Sequence, residues 1–466
     1  MSNVKKESFE VTVPIDEGSS IEILSSDGVL IKTIRAFPLW PNMVNPCPYQ
    51  TKGVDRLIYA GKSRLEDFNE KDIKNSIVLM DFNTRWYWKN AALLGAKAVI
   101  FIEPSDTTRV ECLFKRMSVP LNFPRLFVRA EDGEFLRKML REKESISIRV
   151  SSNMKWKTVT VNNIVGYIYG TESDETSIAV VANYDSFSIV PSISPGATDA
   201  LGIAALLELA DFFSKNPPRR TLMFAALAGH WQGLAGAREF VDNHFDEMGS
   251  KVKLLFDLDF STDSKDLAIY HQGFSYPYLV QPLAPRYNWI RTQIMDVIFP
   301  RIQTAAARFG KTYTLLDGIS RPIPIFEHAI MMFDSDPFTT ACYGGGISFH
   351  TTNALRRYYQ TWMDTFSNLR LENYFPQLET FLGILYGISQ LPRLRDDVSY
   401  PATRVGNDWG FTTLEATVGR YNMTTAWYDP FYHPDTLVYV RFYTITLVFQ
   451  GEAMQPGQSV SPTMSG

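Results

Sequence analysis

Carboxylates and imidazoles in this 466-residue chain collect where long apolar runs stop. Asn183 and Asp185 follow the run SIAVVA, and Asp199 opens the stretch DALGIAALLELA. His230 and Trp231 follow RTLMFAALAG, and Asp257 and Asp259 close KLLFDLD. His350 lies in ISFHTT, and Gln360 and Asp364 lie in YYQTWMDT. Carboxylate and imidazole groups are the ordinary oxygen and nitrogen ligands of zinc, and zinc held by them lowers the pKa of bound water. One combination, Asp185, Asp199, Asp259 and His350 with His230 beside them, would make a single-metal site. The simpler reading of His350 is a hydrogen-bonded pocket residue, because buried polar groups usually satisfy one another. In the same metal-free case, Asp257 and Asp259 need donors such as His230, Asn183 or Gln360. Asp199, at the head of an apolar helical stretch, is also placed to cap that helix.

Other chemistries lack their residues. There is no Gly-x-Ser-x-Gly, no phosphate-binding Gly-rich loop before a helix and no His-Glu-x-x-His. Cys47, Cys112 and Cys342 are too few and too scattered for a thiolate zinc site. Their spacing leaves open a Cys47–Cys112 disulfide or three free thiols. A formal charge of −4 and the absence of a basic run argue against a nucleic-acid partner. No apolar stretch reaches the roughly 20 residues that span a bilayer, and the first residues, MSNVKKESFEVTVPIDE, lack the apolar core of a secretory leader.

The elements that must position these residues follow from the pattern of apolar runs. From 157 onward, buried-type strands alternate with long helical stretches, which predicts an α/β domain with a mostly parallel sheet. In such sheets functional side chains gather at the carboxyl ends of strands. Residues 50–150 alternate in the same way on a smaller scale: the strands DRLIYAG and IKNSIVLMDF, a helix ending at Gly95, the strand AKAVIFI, then strand, helix and strand in PRLFVRAEDGEFLRKMLREKESISIRV. From about 396 the chain reads as short strands and ends in QPGQSVSPTMSG, a linker-like tail, with one glycosylation sequon at Asn422-Met423-Thr424. The aromatic-rich stretch 270–290 is either a partner-binding surface or a packed loop.

Residues 157–393 resemble the di-zinc aminopeptidases of metallopeptidase family 28, to which the transferrin-receptor and nicastrin ectodomains also belong. The resemblance rests on VVANYDSF, SPGATDALGIAALLELA, FAALAGHWQGLAGAREFV, LLFDLDF, FDSDPF and YYQTWMDTFSNL, in the family's order and spacing. Residues 50–150 resemble the protease-associated (PA) domain, a lid or interaction module in that family. These likenesses imply a zinc-exopeptidase-like α/β/α sandwich over 156–395, preceded by strands and a PA-like domain over 1–155 and followed by a β-rich segment over 396–466.

Carried onto this chain, the family's five metal ligands fall on Asn183, Asp199, Trp231, Asp259 and Gln360, and its general base falls on His230. Only Asp199 and Asp259 keep the family's residue type. Asp185 and Asp364 match carboxylates that orient metal-bound imidazoles in the family. Indole nitrogen has no lone pair to give, and neutral amides are weak zinc ligands. The resemblance therefore implies a peptidase fold without catalytic residues, metal or cofactor, serving as a binding or scaffold module for a protein or peptide. Two alternatives stand beside it: an aminopeptidase or metallohydrolase with a rebuilt single-zinc site, and a structural part of a larger surface or extracellular assembly. By resemblance, the expected location is extracellular or at the cell surface, and an oligomer or larger assembly is compatible with that.

Overall fold

The computed structural model describes residues 2–117, 119–172, 176–271, 287, 289–318, 332–342, 344–392 and 394, together with backbone strands between 406 and 450. Most of the aromatic stretch 270–290, the sequon's Met423 and Thr424, and the tail from 451 lie outside the described residues.

Sixteen strands build two eight-stranded sheets. In chain order they are β1 (Ser2–Asp16), β2 (Ser19–Leu24), β3 (Leu30–Pro38), β4 (Tyr49–Gln50), β5 (Asp55–Tyr59), β6 (Ile77–Asp81), β7 (Ala98–Ile102), β8 (Arg125–Val128), β9 (Ile146–Ser152), β10 (Met154–Ile168), β11 (Ser177–Asn183), β12 (Thr221–Leu227), β13 (Val252–Asp259), β14 (Leu267–Tyr270), β15 (Leu315–Asp317) and β16 (Gly345–Thr351). The first sheet has the order β2-β3-β8-β7-β6-β5-β9-β4, and a further β2–β9 pairing closes the order on itself. Its interior holds Ile21, Leu57, Leu79, Ile100 and Ile148 against Leu136 of the helix Ala130–Glu142. The expected helix end at Gly95 is present. Gly95 has φ +86°, its amide bonds to Ala92 O, and the Ala96 amide reaches Ala91 O, which is a Schellman stop.

The second sheet has the order β1-β10-β12-β11-β13-β16-β14-β15. Four of its seven pairings are parallel: β11–β12, β11–β13, β13–β16 and β14–β15. The rest are antiparallel. Both faces are covered, so the middles of β11 and β12 are apolar on both sides. Ile178, Val180 and Ala182 face the helices Ala200–Lys215 and Leu371–Ser389, while Ala179 and Val181 face the helix Ala235–Asn243. This is the expected three-layer α/β/α arrangement. A Cβ on Gly202 would meet Leu258 O at 2.3 Å, so glycine there lets the helix Ala200–Lys215 lie directly on β13.

One segment departs from the expected division. β1, read with the first domain, is an edge strand of the second sheet and pairs with β10 along almost its whole length. Its partner lies about 150 residues away, and nothing in the local pattern of residues 2–16 encodes that. The three cysteines are free and buried. From 406 to 450 the chain forms three antiparallel pairs: Gly406–Asp408 with Phe411–Thr413, Gly419–Asn422 with Trp427–Pro430, and Leu437–Phe442 with Ile445–Gln450.

Candidate functional site

The parallel strands β11, β12, β13 and β16 end on one edge of the second sheet, and the candidate site residues lie at or beyond that edge. β11 ends at Asn183, whose side-chain amide donates to Asp185 O at 3.0 Å. Beyond β12, Gly229 (φ +73°) and Gly233 (φ +70°) bracket a single turn carrying His230 and Trp231. β13 ends at Asp259, and its register partner on β16 is His350.

Asp259 is held by an arginine and a histidine. Arg356 Nη1 lies 2.7 Å from one carboxylate oxygen, and His350 Nδ1 lies 2.7 Å from the other. Arg356 Nη2 also donates to the Asp259 main-chain carbonyl at 3.0 Å. Burial opposes the Asp259 charge, but Arg356 and His350 overcome it and hold the carboxyl well below its usual range. The Arg356 side chain is 3% exposed, and its guanidinium sits over the Tyr359 ring at 5.3 Å. His350 packs edge-on against Tyr270 and Phe333. His350 is thus buried and bonded to Asp259.

Asp199 is buried and accepts the Tyr359 hydroxyl at 3.1 Å. Burial, with Asp364 nearby, pushes its carboxyl well up. Its expected helix-capping bond is absent, because its own backbone is already helical and its carboxylate faces Tyr359. Asp364 does related work: it accepts the Thr198 amide at 3.1 Å and the Thr198 hydroxyl at 2.6 Å, just before the helix begins. Burial raises the Asp364 carboxyl to about 6.

His230 Nδ1 lies 3.0 Å from Asp334, and its amide donates to Asp185 at 3.3 Å. Burial works against the imidazolium, but Asp334, then Asp185 and Asp257, outweigh it and push His230 up to about 10. Asp257 accepts the Ser348 hydroxyl at 3.0 Å and the Asp334 amide at 3.1 Å. Trp231 fills the space between Phe187, His230 and Tyr359, with ring separations of 5.3, 4.9 and 5.9 Å. Gln360 is buried with φ +65°, and its main-chain carbonyl accepts the Ile189 amide at 3.1 Å.

The His230 pair gives a pH prediction. A folded-state pKa near 10, above the ordinary 6.5, means that the folded protein binds more protons than the unfolded chain between those values. The stabilisation is full below pH 6.5 and is lost as pH rises towards 10. Urea midpoints should fall across that window, and the fall should be smaller in His230→Gln. Equal slopes in the two proteins would contradict the pairing.

The bonds that hold the strand-end acids differ from the expected ones. In place of His230, Asn183 and Gln360, the donors to Asp257 are Ser348 and the Asp334 amide, and those to Asp259 are His350 and Arg356. Arg356, Tyr359 and Asp334 are site residues that the sequence motifs do not single out. Arg356 and Tyr359 precede Gln360 by four residues and one, and Asp334 sits inside FDSDPF, so the motifs mark the stretches but not the side chains.

The edge is also covered by the first sheet. Trp362, Ile189 and Val190, from loops beside the site, are part of the hydrophobic cluster around Trp88 and Phe127. Arg109 lies over the Tyr359 ring at 4.9 Å, and Arg357 pairs with Asp106.

Comparison with known proteins defines the class. Residues 163–374 match the sequence profile of Peptidase family M28. That stretch contains the parallel strands and the acids at their ends, so the similarity to M28 peptidases is carried by the second sheet. The fold is also similar to that of nicastrin, a γ-secretase component: the two superpose over 81% of this chain and 74% of the other, with a TM-score of 0.51 and 12% identity. Nicalin of Caenorhabditis elegans is 37% identical over 118 residues, covering 23% of this chain and 21% of nicalin. A probable zinc metalloprotease of Leptosphaeria maculans is 39% identical over 84 residues, covering 17% of this chain and 20% of that protein. The matched stretches thus span about a fifth of these curated relatives.

Proposed function

We propose that this chain is a non-catalytic, peptidase-like protein that acts as a binding or scaffold module. The observation that carries the reading is the Arg356 guanidinium on Asp259. A fixed monocation and a divalent metal compete for the same carboxylate. Of the five family ligand positions, Asn183, Trp231 and Gln360 supply neutral amides and an indole. Asp199 is bonded to Tyr359, and Asp259 to Arg356 and His350. This donor set does not fit two zinc ions ~3.5–4 Å apart. Among the described residues no group of three or more His, Cys, Asp or Glu side chains is arranged to hold a metal. At the general-base position, an imidazole pushed up to about 10 is already protonated at neutral pH and cannot accept a proton.

Support for the scaffold half comes from two sides. The first sheet is packed into the loops that would admit a substrate, through Trp362, Ile189 and Val190. Nicastrin, whose fold this chain shares, is by its description a component of an assembly. The reading implies a protein partner and an extracellular or cell-surface setting, with residues 50–150 serving as a PA-like module. The alternative of a rebuilt single-zinc site would need Asp259 and His350, which are committed to each other and to Arg356. Zinc retention by the purified protein, compared with Asp199→Ala, decides between the two.

A further inference from the structure

A second surface, on the outer side of the first sheet's helix Trp88–Leu93, has no role in the scaffold reading. The helical turn running from Thr84 into the helix Trp88–Leu93 buries Trp88, Ala91 and Ala96 in the first sheet's core. The opposite side of the same turn is also apolar. Trp86 is 42% exposed, Tyr87 46%, Leu93 83% and Leu94 41%. The 3.6-residue period puts Trp86 and Leu93 at the centre of the outward face, flanked by Tyr87 and Leu94. A helix apolar on both sides normally has something against each of them.

The chemistry of this face points to one partner. Residues 83–97 contain Arg85, Lys89 and Lys97 and no acid. Lys97 is paired with Asp55, which leaves Arg85 and Lys89 beside the apolar side chains. Lys89 sits over the Trp86 ring at 4.2 Å, and Trp86 contacts Phe114 at 5.2 Å. Glu111, whose carboxylate accepts the Arg85 amide, is also engaged by Lys115. Tryptophan and tyrosine favour the headgroup level of a bilayer, leucine the acyl region just below, and lysine and arginine the anionic phosphates. A leucine 83% exposed stands out from the surface and is free to enter a lipid layer. No helix among the described residues is long and apolar enough to cross a membrane, so contact through this turn would lie in the interface plane.

We infer that the turn Trp86–Leu94 is a membrane-contact surface, which docks the first domain on an anionic lipid bilayer with Trp86, Leu93 and Leu94 in the interface and Arg85 and Lys89 at the phosphates. The test is co-sedimentation of the full chain with vesicles of phosphatidylcholine alone and of phosphatidylcholine mixed with phosphatidylserine. Binding should be stronger to the anionic vesicles and should weaken with salt. Removing two large apolar side chains from the lipid contact should lower binding in Trp86→Ser with Leu93→Ser by at least about tenfold. Both residues are at the surface, so the thermal melt should stay close to that of the parent protein. Leu207→Ser, at another exposed leucine on the helix Ala200–Lys215, should bind as the parent does. Failure of the parent to sediment with anionic vesicles would overturn the inference and leave the face to a protein partner. Equal loss in Leu207→Ser, or unchanged binding in the double variant, would overturn it as well.

Discussion

Arg356→Met is expected to lower the stability of the protein by about 3–5 kcal/mol, the usual result of removing one member of a buried ion pair. Both guanidinium bonds to Asp259 vanish, and only His350 remains for a carboxylate whose side chain is 29% exposed. The main-chain conformation at 356 (φ +43°) is unfavourable for either residue, so backbone strain does not confound the comparison. Adding Asp259→Asn should restore much of the loss, because the uncompensated charge is then gone. Urea unfolding of the wild type, both single variants and the double variant measures the coupling. A loss below about 1 kcal/mol in Arg356→Met would mean that Asp259 has another cation to turn to and that the arginine does not hold it.

Trp362→Ala should cost a similar about 3–5 kcal/mol, by a different route. Trp362 leaves the site's loop and enters the first sheet's hydrophobic cluster, with ring centroids 4.8 Å from Phe82 and 4.5 Å from Phe127. Its removal opens a cavity between the two sheets and frees the loop that carries Gln360. Hydrogen exchange at the Ile189 amide, which is bonded to the Gln360 carbonyl, should speed up with the loss of stability. If exchange there stayed at the parent rate while stability fell, the loop would be held by something other than Trp362.

The residues that can be read in advance are those whose surroundings repeat along the chain. β11 and β12 are nearly unbroken apolar runs, and β13 is apolar up to the acids that close it, so both the sheet and the edge carrying the site are written locally. Gly95 stops its helix for a reason visible within five residues. Residue type alone also shows that Asn183, Trp231 and Gln360, where the resemblance puts the family's ligands, offer amides and an indole. What bonds the remaining acids is not legible in this way. Arg356 reaches Asp259 across 97 residues, and Tyr359 reaches Asp199 across 160, and a single arginine or tyrosine in a loop has no period to betray its target. The missing helix cap at Asp199 has the same cause, since a distant hydroxyl claims the carboxylate that local logic assigns to the helix. β1 pairs with β10 although all eight strands of the first sheet lie between them in sequence.

The most direct measurement is the zinc content of the purified, zinc-supplemented protein after gel filtration, compared with Asp199→Ala. A non-catalytic scaffold should hold no zinc above the amount in the variant, because Asp199 is bonded to Tyr359 and Asp259 to Arg356. Stoichiometric zinc in the wild type that disappears in Asp199→Ala would contradict this reading and favour the rebuilt metal site, to be followed by assays on aminoacyl and peptide substrates.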